Sequence, residues 1–200
     1  MLHVDLWAPG SIKDYRGNTY LLAGMCDLTG FVVQSAVTTI TSHDLARVFF
    51  QEFLLKFGMC GLVVVDAGSN FLATFEAMCE ALSIRFHAAA KGNHKAVSVE
   101  RYFRFVNKAV TIATNDRDDP TVWVPASMTA GYAWNSSPID GTDILRSVAA
   151  VGRPFQFPID ISLALPPQLC SDNATAVTQY LKFVNEHVSF SQAILRYLVE

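Results

Sequence analysis

Short apolar runs separated by turn-forming residues mark the first forty residues and predict strands. Leu2 to Trp7 is a short apolar run that carries Asp5. Thr19–Cys26 and Phe31–Thr38 follow, joined by the turn-like Asp27-Leu28-Thr29-Gly30. Three strands in succession imply an antiparallel meander. The period then changes. Ala46, Phe49, Phe50, Phe53, Leu54 and Phe57 share one face of a helix that Ser42 can cap and Gly58 can end. Leu62-Val63-Val64-Val65 suits a buried strand and runs into Asp66-Ala67-Gly68-Ser69-Asn70. A helix over about 71–82, a short strand over Ile84–His87 and a small-residue loop over 88–94 come next.

A long helix is predicted from about Lys95 to Thr114, with Val99, Tyr102, Phe103, Val106, Val110 and Ala113 as its apolar stripe. Asp119-Pro120 opens another helix, a cap followed by proline at the first helical position, which reaches about Trp134. Residues 135–167 are rich in turn formers and read as irregular. Two short helices are expected over 174–187 and 189–199. A meander followed by alternating strands and helices gives a mixed α/β sheet with helices on its faces. No long polar linker divides the chain, so a compact core to about residue 135 with a C-terminal helical appendage is expected.

Composition narrows the class. Of 200 residues, 51% are hydrophobic and only 16% charged, well below the roughly 25% of an average domain. Disorder, collagen and coiled coil are excluded on that ground. The uncharged stretch Thr121 to Ile139 contains Pro125, Asn135, Ser136 and Ser137 and is a poor membrane span. No basic n-region of a signal peptide precedes the apolar start. The four cysteines show no CxxC spacing and read as reduced thiols, so an intracellular setting is expected.

The net charge of −3 argues against nucleic acid globally, but the local count differs. Arg85, Lys91, Lys95, Arg101, Arg104 and Lys108 fall within 24 residues that hold one acid, Glu100. Glu100, Arg104 and Lys108 share one helix face, which a surface ion-pair ladder would also explain. Asp5 interrupts one apolar strand and Asp66 ends another. Two aspartates on neighbouring strands repel unless a cation lies between them. Asp66 capping its turn and Asp5 pointing outward on the pleat is the other arrangement open to the pair.

Taken together, these segments resemble the integrase core of gypsy-type and copia-type long-terminal-repeat retrotransposons. "HVDLWAPG" is similar to the first-aspartate motif of that family, "VVVDAGSNF" to the second, and "VSVERYFRFVNKAV" to its glutamate helix. "AGYAWNSSPIDGT" and "VGRPFQFPID" resemble the segment that follows. The resemblance covers about residues 1–160 and implies a ribonuclease-H-like fold: a mixed five-stranded sheet flanked by helices, with 161–200 as a C-terminal helical extension. It implies that Asp5, Asp66 and Glu100 are catalytic and hold two Mg²⁺ or Mn²⁺ ions for attack of water or a DNA 3′-hydroxyl on a phosphodiester. Lys91, Lys95, Arg101, Arg104 and Lys108 are then expected to hold DNA phosphates.

The partners implied are element ends and target DNA, and a second copy of the chain in a homo-oligomer, with no membrane. A nuclear location is expected in a eukaryote. The chain departs from the family pattern at Phe103, where a polar residue is usual, and at Val97, where glycine is frequent. It starts four residues before Asp5 and shows neither a zinc-binding segment before it nor a basic tail after it, so it reads as a piece of a polyprotein or a decayed copy. A catalytically silent nucleic-acid-binding or assembly module is the alternative function. A phosphate-loop reading of "VVVDAGSN" requires a β-hairpin around it, where Phe71 onward reads as a helix.

Overall fold

The computed structural model describes residues 1–66, 71, 73–89 and 97–155. The chain divides into two compact units at Trp134/Asn135. In the first, strands β1 (Leu2–Trp7), β2 (Tyr20–Cys26) and β3 (Val32–Val37) form the antiparallel meander that three apolar runs in succession predict. β4 (Leu62–Asp66) and β5 (Arg85–Ala89) add in parallel, giving the order β3-β2-β1-β4-β5. β2 is buried on both faces from Leu21 to Met25, which is why it reads as a nearly unbroken apolar run.

Pleating sends successive side chains to opposite faces. One face carries Val4, Leu22, Val63 and Val65 against Phe49, Phe53 and Phe75. Those rings lie 5.1–5.2 Å apart in tilted pairs, the offset contact that their charge distribution favours. The other face carries Trp7, Leu21, Ala23 and Met25 against Val99, Tyr102, Phe103, Val106 and Trp123.

The first helical segment is not one uniform helix. α1 (Ser42–Val48) passes into a π-helical stretch, Phe49–Leu54, and a last α-turn, α2 (Leu55–Phe57), before Gly58 at φ 91°. Its cap is Thr41, whose hydroxyl oxygen accepts the Asp44 N–H at 3.2 Å, rather than Ser42. Ser42 serves another helix. α3 (Thr74–Ala81) starts after Ala73 at φ 61° without a cap of its own, and Ser42 Oγ accepts the Phe75 N–H at 3.0 Å.

α4 (Val97–Arg117) lies over β1 and β2. Asp119 Oδ1 accepts the Thr121 N–H at 2.8 Å and opens a short 3₁₀ turn, Pro120–Val122, that leads into α5 (Trp123–Asn135). Gln34 of β3 joins both helices: it accepts the Tyr102 hydroxyl proton and donates Nε2–H to the Ser127 carbonyl at 2.8 Å.

In the second unit, α6 (Arg146–Val151) falls where an irregular segment was expected. Arg146 is 5% exposed, so its charge hides the helix from a reading by apolar period. It donates to the Ser137 hydroxyl at 2.7 Å and to the Pro138 carbonyl, closing the loop before α6. The helices expected over 174–187 and 189–199 lie outside the described residues.

Candidate metal and nucleic-acid site

Asp5 is on β1 and Asp66 is the last residue of β4. The two strands pair in parallel, with Leu2 opposite Val63 and Val4 opposite Val65. One step further along this register brings Asp5 level with Asp66. Val4 and Val65 point into the aromatic core on one face, so both aspartates take the α4 face. Asp5 is partly buried and Asp66 exposed. The Leu6 N–H donates to Asp5 Oδ1 at 2.7 Å.

This environment changes Asp5. Burial pushes its carboxyl from the ordinary 3.8 up to about 6; the Leu6 N–H opposes the shift, and the negative charge of Asp66 adds to it. Two hard oxygen donors side by side, one resisting ionisation, fit a divalent cation, which relieves both the burial cost and the repulsion.

Glu100 lies in the first turn of α4 and is exposed. Among the described residues, no three His, Cys, Asp or Glu side chains gather closely enough to hold a metal ion. The expected trio therefore stands as an adjacent aspartate pair with the third carboxylate on the helix above, not as a closed triad. Arg101, Arg104 and Lys108 are exposed on α4. Lys91 and Lys95 lie outside the described residues.

Sequence reasoning passed over one polar contact. Trp7 Nε1–H donates to Asn107 Oδ1 at 3.1 Å, and the Trp7 ring lies 5.8 Å from that of Trp123. Trp7 looked like one more apolar strand residue. The available signal was its indole N–H, which needs a partner when buried, together with an asparagine seven residues after Glu100.

No family model matches the chain. The retrovirus-related Pol polyprotein from transposon 412 of Drosophila melanogaster is 27% identical over 115 residues, covering 56% of this chain. The chain spans only 9% of that polyprotein.

Among solved structures, the HTLV-2 integrase catalytic core domain in complex with magnesium superposes with TM-scores of 0.57 in its trimeric form and 0.56 in its dimeric form. Each is 18% identical and covers 72% of this chain and 91% of the other. A simian T-cell lymphotropic virus intasome in complex with PP2A regulatory subunit B56 gamma gives 0.64 at 16% identity, covering 78% of this chain and 58% of that one. The mixed five-stranded sheet flanked by helices is thus the ribonuclease-H-like fold of integrase catalytic cores. In sequence and in fold, this chain is similar to the integrase core of long-terminal-repeat retroelements.

Proposed function

We propose that the chain is the catalytic core of a retroelement integrase and carries out metal-dependent polynucleotidyl transfer on DNA ends. The observation that carries this reading is the pairing of Asp5 with Asp66 on adjacent parallel strands of an integrase-like sheet. Asp5, Asp66 and Glu100 are the residues that would hold Mg²⁺ or Mn²⁺, two ions by analogy with two-metal sites. Bound there, divalent cations supply a more acidic nucleophilic oxygen and charge stabilisation at the leaving one.

The protein's own contributions follow from its residues. Asp5 and Asp66 set the base of the site on two rigid strands. Glu100 approaches from a helix and brings the third negative charge. Arg104 and Lys108 continue the Glu100 face at i+4 and i+8 and would hold phosphates beside the reacting one. The magnesium complex of an integrase core with this fold supports the choice of metal. The trimeric and dimeric forms of that core support a homo-oligomer.

The test is DNA nicking by the purified chain with Mn²⁺ or Mg²⁺. Asp5→Asn, Asp66→Asn and Glu100→Gln should each abolish it while DNA binding persists. The second reading, a silent nucleic-acid-binding or assembly module, is favoured by the open arrangement of the three carboxylates. Wild-type protein that binds DNA but nicks none with either metal would establish it.

A further inference from the structure

The sheet and α4 are tied together by two side-chain hydrogen bonds at different heights. Gln34, Ala23 and Asp5 are directly paired across β3, β2 and β1, and the parallel register extends this row to Asp66. Tyr102 of α4 donates its hydroxyl proton to Gln34, at the β3 end of the row. Asn107 of α4 takes the Trp7 N–H, on β1 two residues beyond Asp5 and on the same face.

These two bonds fix how α4 lies. From Tyr102 to Asn107 the helix rises about 7.5 Å, five residues at 1.5 Å each. From the Asp5 row to the Trp7 row the sheet advances about 6.6 Å, two residues at 3.3 Å. The lengths agree if α4 runs alongside β1 in the same direction. Glu100 then lies about 3 Å before Tyr102 along the axis, close to the level of the Asp5–Asp66 row.

The roll of the helix is fixed too. Asn107 is seven residues after Glu100 and sits only about 20° from it around the axis. Tyr102 lies about 160° away, on the opposite flank. With the Tyr102 flank held toward β3 and the Asn107 flank held over β1, the Glu100 stripe faces the β1–β4 side, where the aspartates are.

We infer that Asn107, through its bond to Trp7, is a positioning residue that holds the Glu100 edge of α4 over the Asp5–Asp66 pair. The inference rests on the integrase-core reading above. Asn107 touches no reacting atom. It acts by holding the helix that carries a ligand, and loss of such supporting contacts weakens metal affinity about 10–100-fold in known sites.

The experiment measures Mn²⁺ binding to the full chain by electron paramagnetic resonance of the free ion, beside urea midpoints in EDTA. Asn107 is exposed, so Asn107→Leu should fold. It should weaken Mn²⁺ binding about tenfold. Trp7→Phe should do the same, and the double variant should lose no more than either single change, because both remove one bond. Val110→Ala, buried on the same helix, is the control: it lowers the urea midpoint but leaves Mn²⁺ affinity unchanged.

If Asn107→Leu binds Mn²⁺ as wild type does while Glu100→Gln binds it weakly, the positioning role is overturned and the integrase-core reading stands. If Val110→Ala weakens binding as much as Asn107→Leu, the effect is general loosening and the positioning role is overturned. If wild type binds no Mn²⁺, or Glu100→Gln binds it equally well, the integrase-core reading fails and this inference with it.

Discussion

Gln34 fills the space that a side chain at position 131 would need. A Cβ on Gly131 would overlap the Gln34 amide and sit 3.1 Å from the Tyr102 hydroxyl oxygen. Glycine in the middle of α5 costs about 1 kcal/mol of helix propensity relative to alanine. Here that cost keeps Gln34 bonded at both ends, to Tyr102 and to the Ser127 carbonyl. Gly131→Ala should therefore destabilise the protein by about 1–2 kcal/mol despite the better propensity, since displacing Gln34 strands partners in a largely buried network. A urea midpoint equal to or above wild type would show that Gln34 moves aside freely.

Asp5 should make the metal-free protein less stable as pH rises. Its folded carboxyl is pushed up to about 6 from 3.8, chiefly by burial. Between those values the folded state binds the extra proton and the unfolded state does not, so stability falls with rising pH across that window. At pH 7.5 in EDTA, Asp5→Asn should raise stability, by about 3 kcal/mol at most from a shift of roughly two pH units. The amide oxygen can still accept the Leu6 N–H. Matching urea curves for the two proteins at pH 4 and pH 7.5 would contradict this.

Arg104 should act on DNA affinity and not on sequence choice. Phosphate contacts position a duplex without reading it. Arg104→Ala should weaken binding to unrelated sequences alike and reduce the slope of log K against log salt by about one. Fluorescence anisotropy across a salt series measures both, and a sequence-dependent loss would rule out the phosphate role.

Arg146 should hold its loop in a way lysine cannot. Its guanidinium reaches the Ser137 hydroxyl, the Pro138 carbonyl and, at 3.3 Å, Asp140. An ammonium has no planar fork to span such partners. Arg146→Lys should speed limited proteolysis between residues 139 and 145 about tenfold, equivalent to about 1.4 kcal/mol of local opening. Unchanged cleavage would mean that the loop is held elsewhere.

The strands and the aspartate pair were legible because hydrophobicity is the signal that sequence carries best. Asp5 and Asp66 stand out as charges in apolar runs that must be buried. Other features were hidden for physical reasons. Thr41 and Ser42 are adjacent hydroxyls with equal capping chemistry, and only the approach of α3 assigns one to each helix. The π-helical stretch is invisible because Phe49, Phe50, Phe53 and Leu54 cover a broad apolar face whichever way the backbone winds. Ala88 and Ala89 read as loop, yet pairing with Val65 and Asp66 extends β5 through them. α6 carries a buried arginine where the apolar pattern demands a hydrophobic residue. Glu100 was visible as a carboxylate on a basic helix, but its bearing toward the sheet depends on Trp7 and Asn107, one hundred residues apart.

The borrowed cap of α3 bears on how the molecule folds and opens. Ser42 bonds to Phe75 across 33 residues of chain, so the first turn of α3 gains that bond only once α1 is already in place. The π-helical continuation of α1 also shares an aromatic cluster with α3, through Phe49 and Phe75. Amide protons in α1 and α3 should therefore exchange with one common free energy, as a single cooperative unit. Ser42→Ala should therefore lower the protection of α3 and of α1 by the same amount, although Ser42 itself resides in α1. A residue placed in one helix would thereby set the opening rate of another.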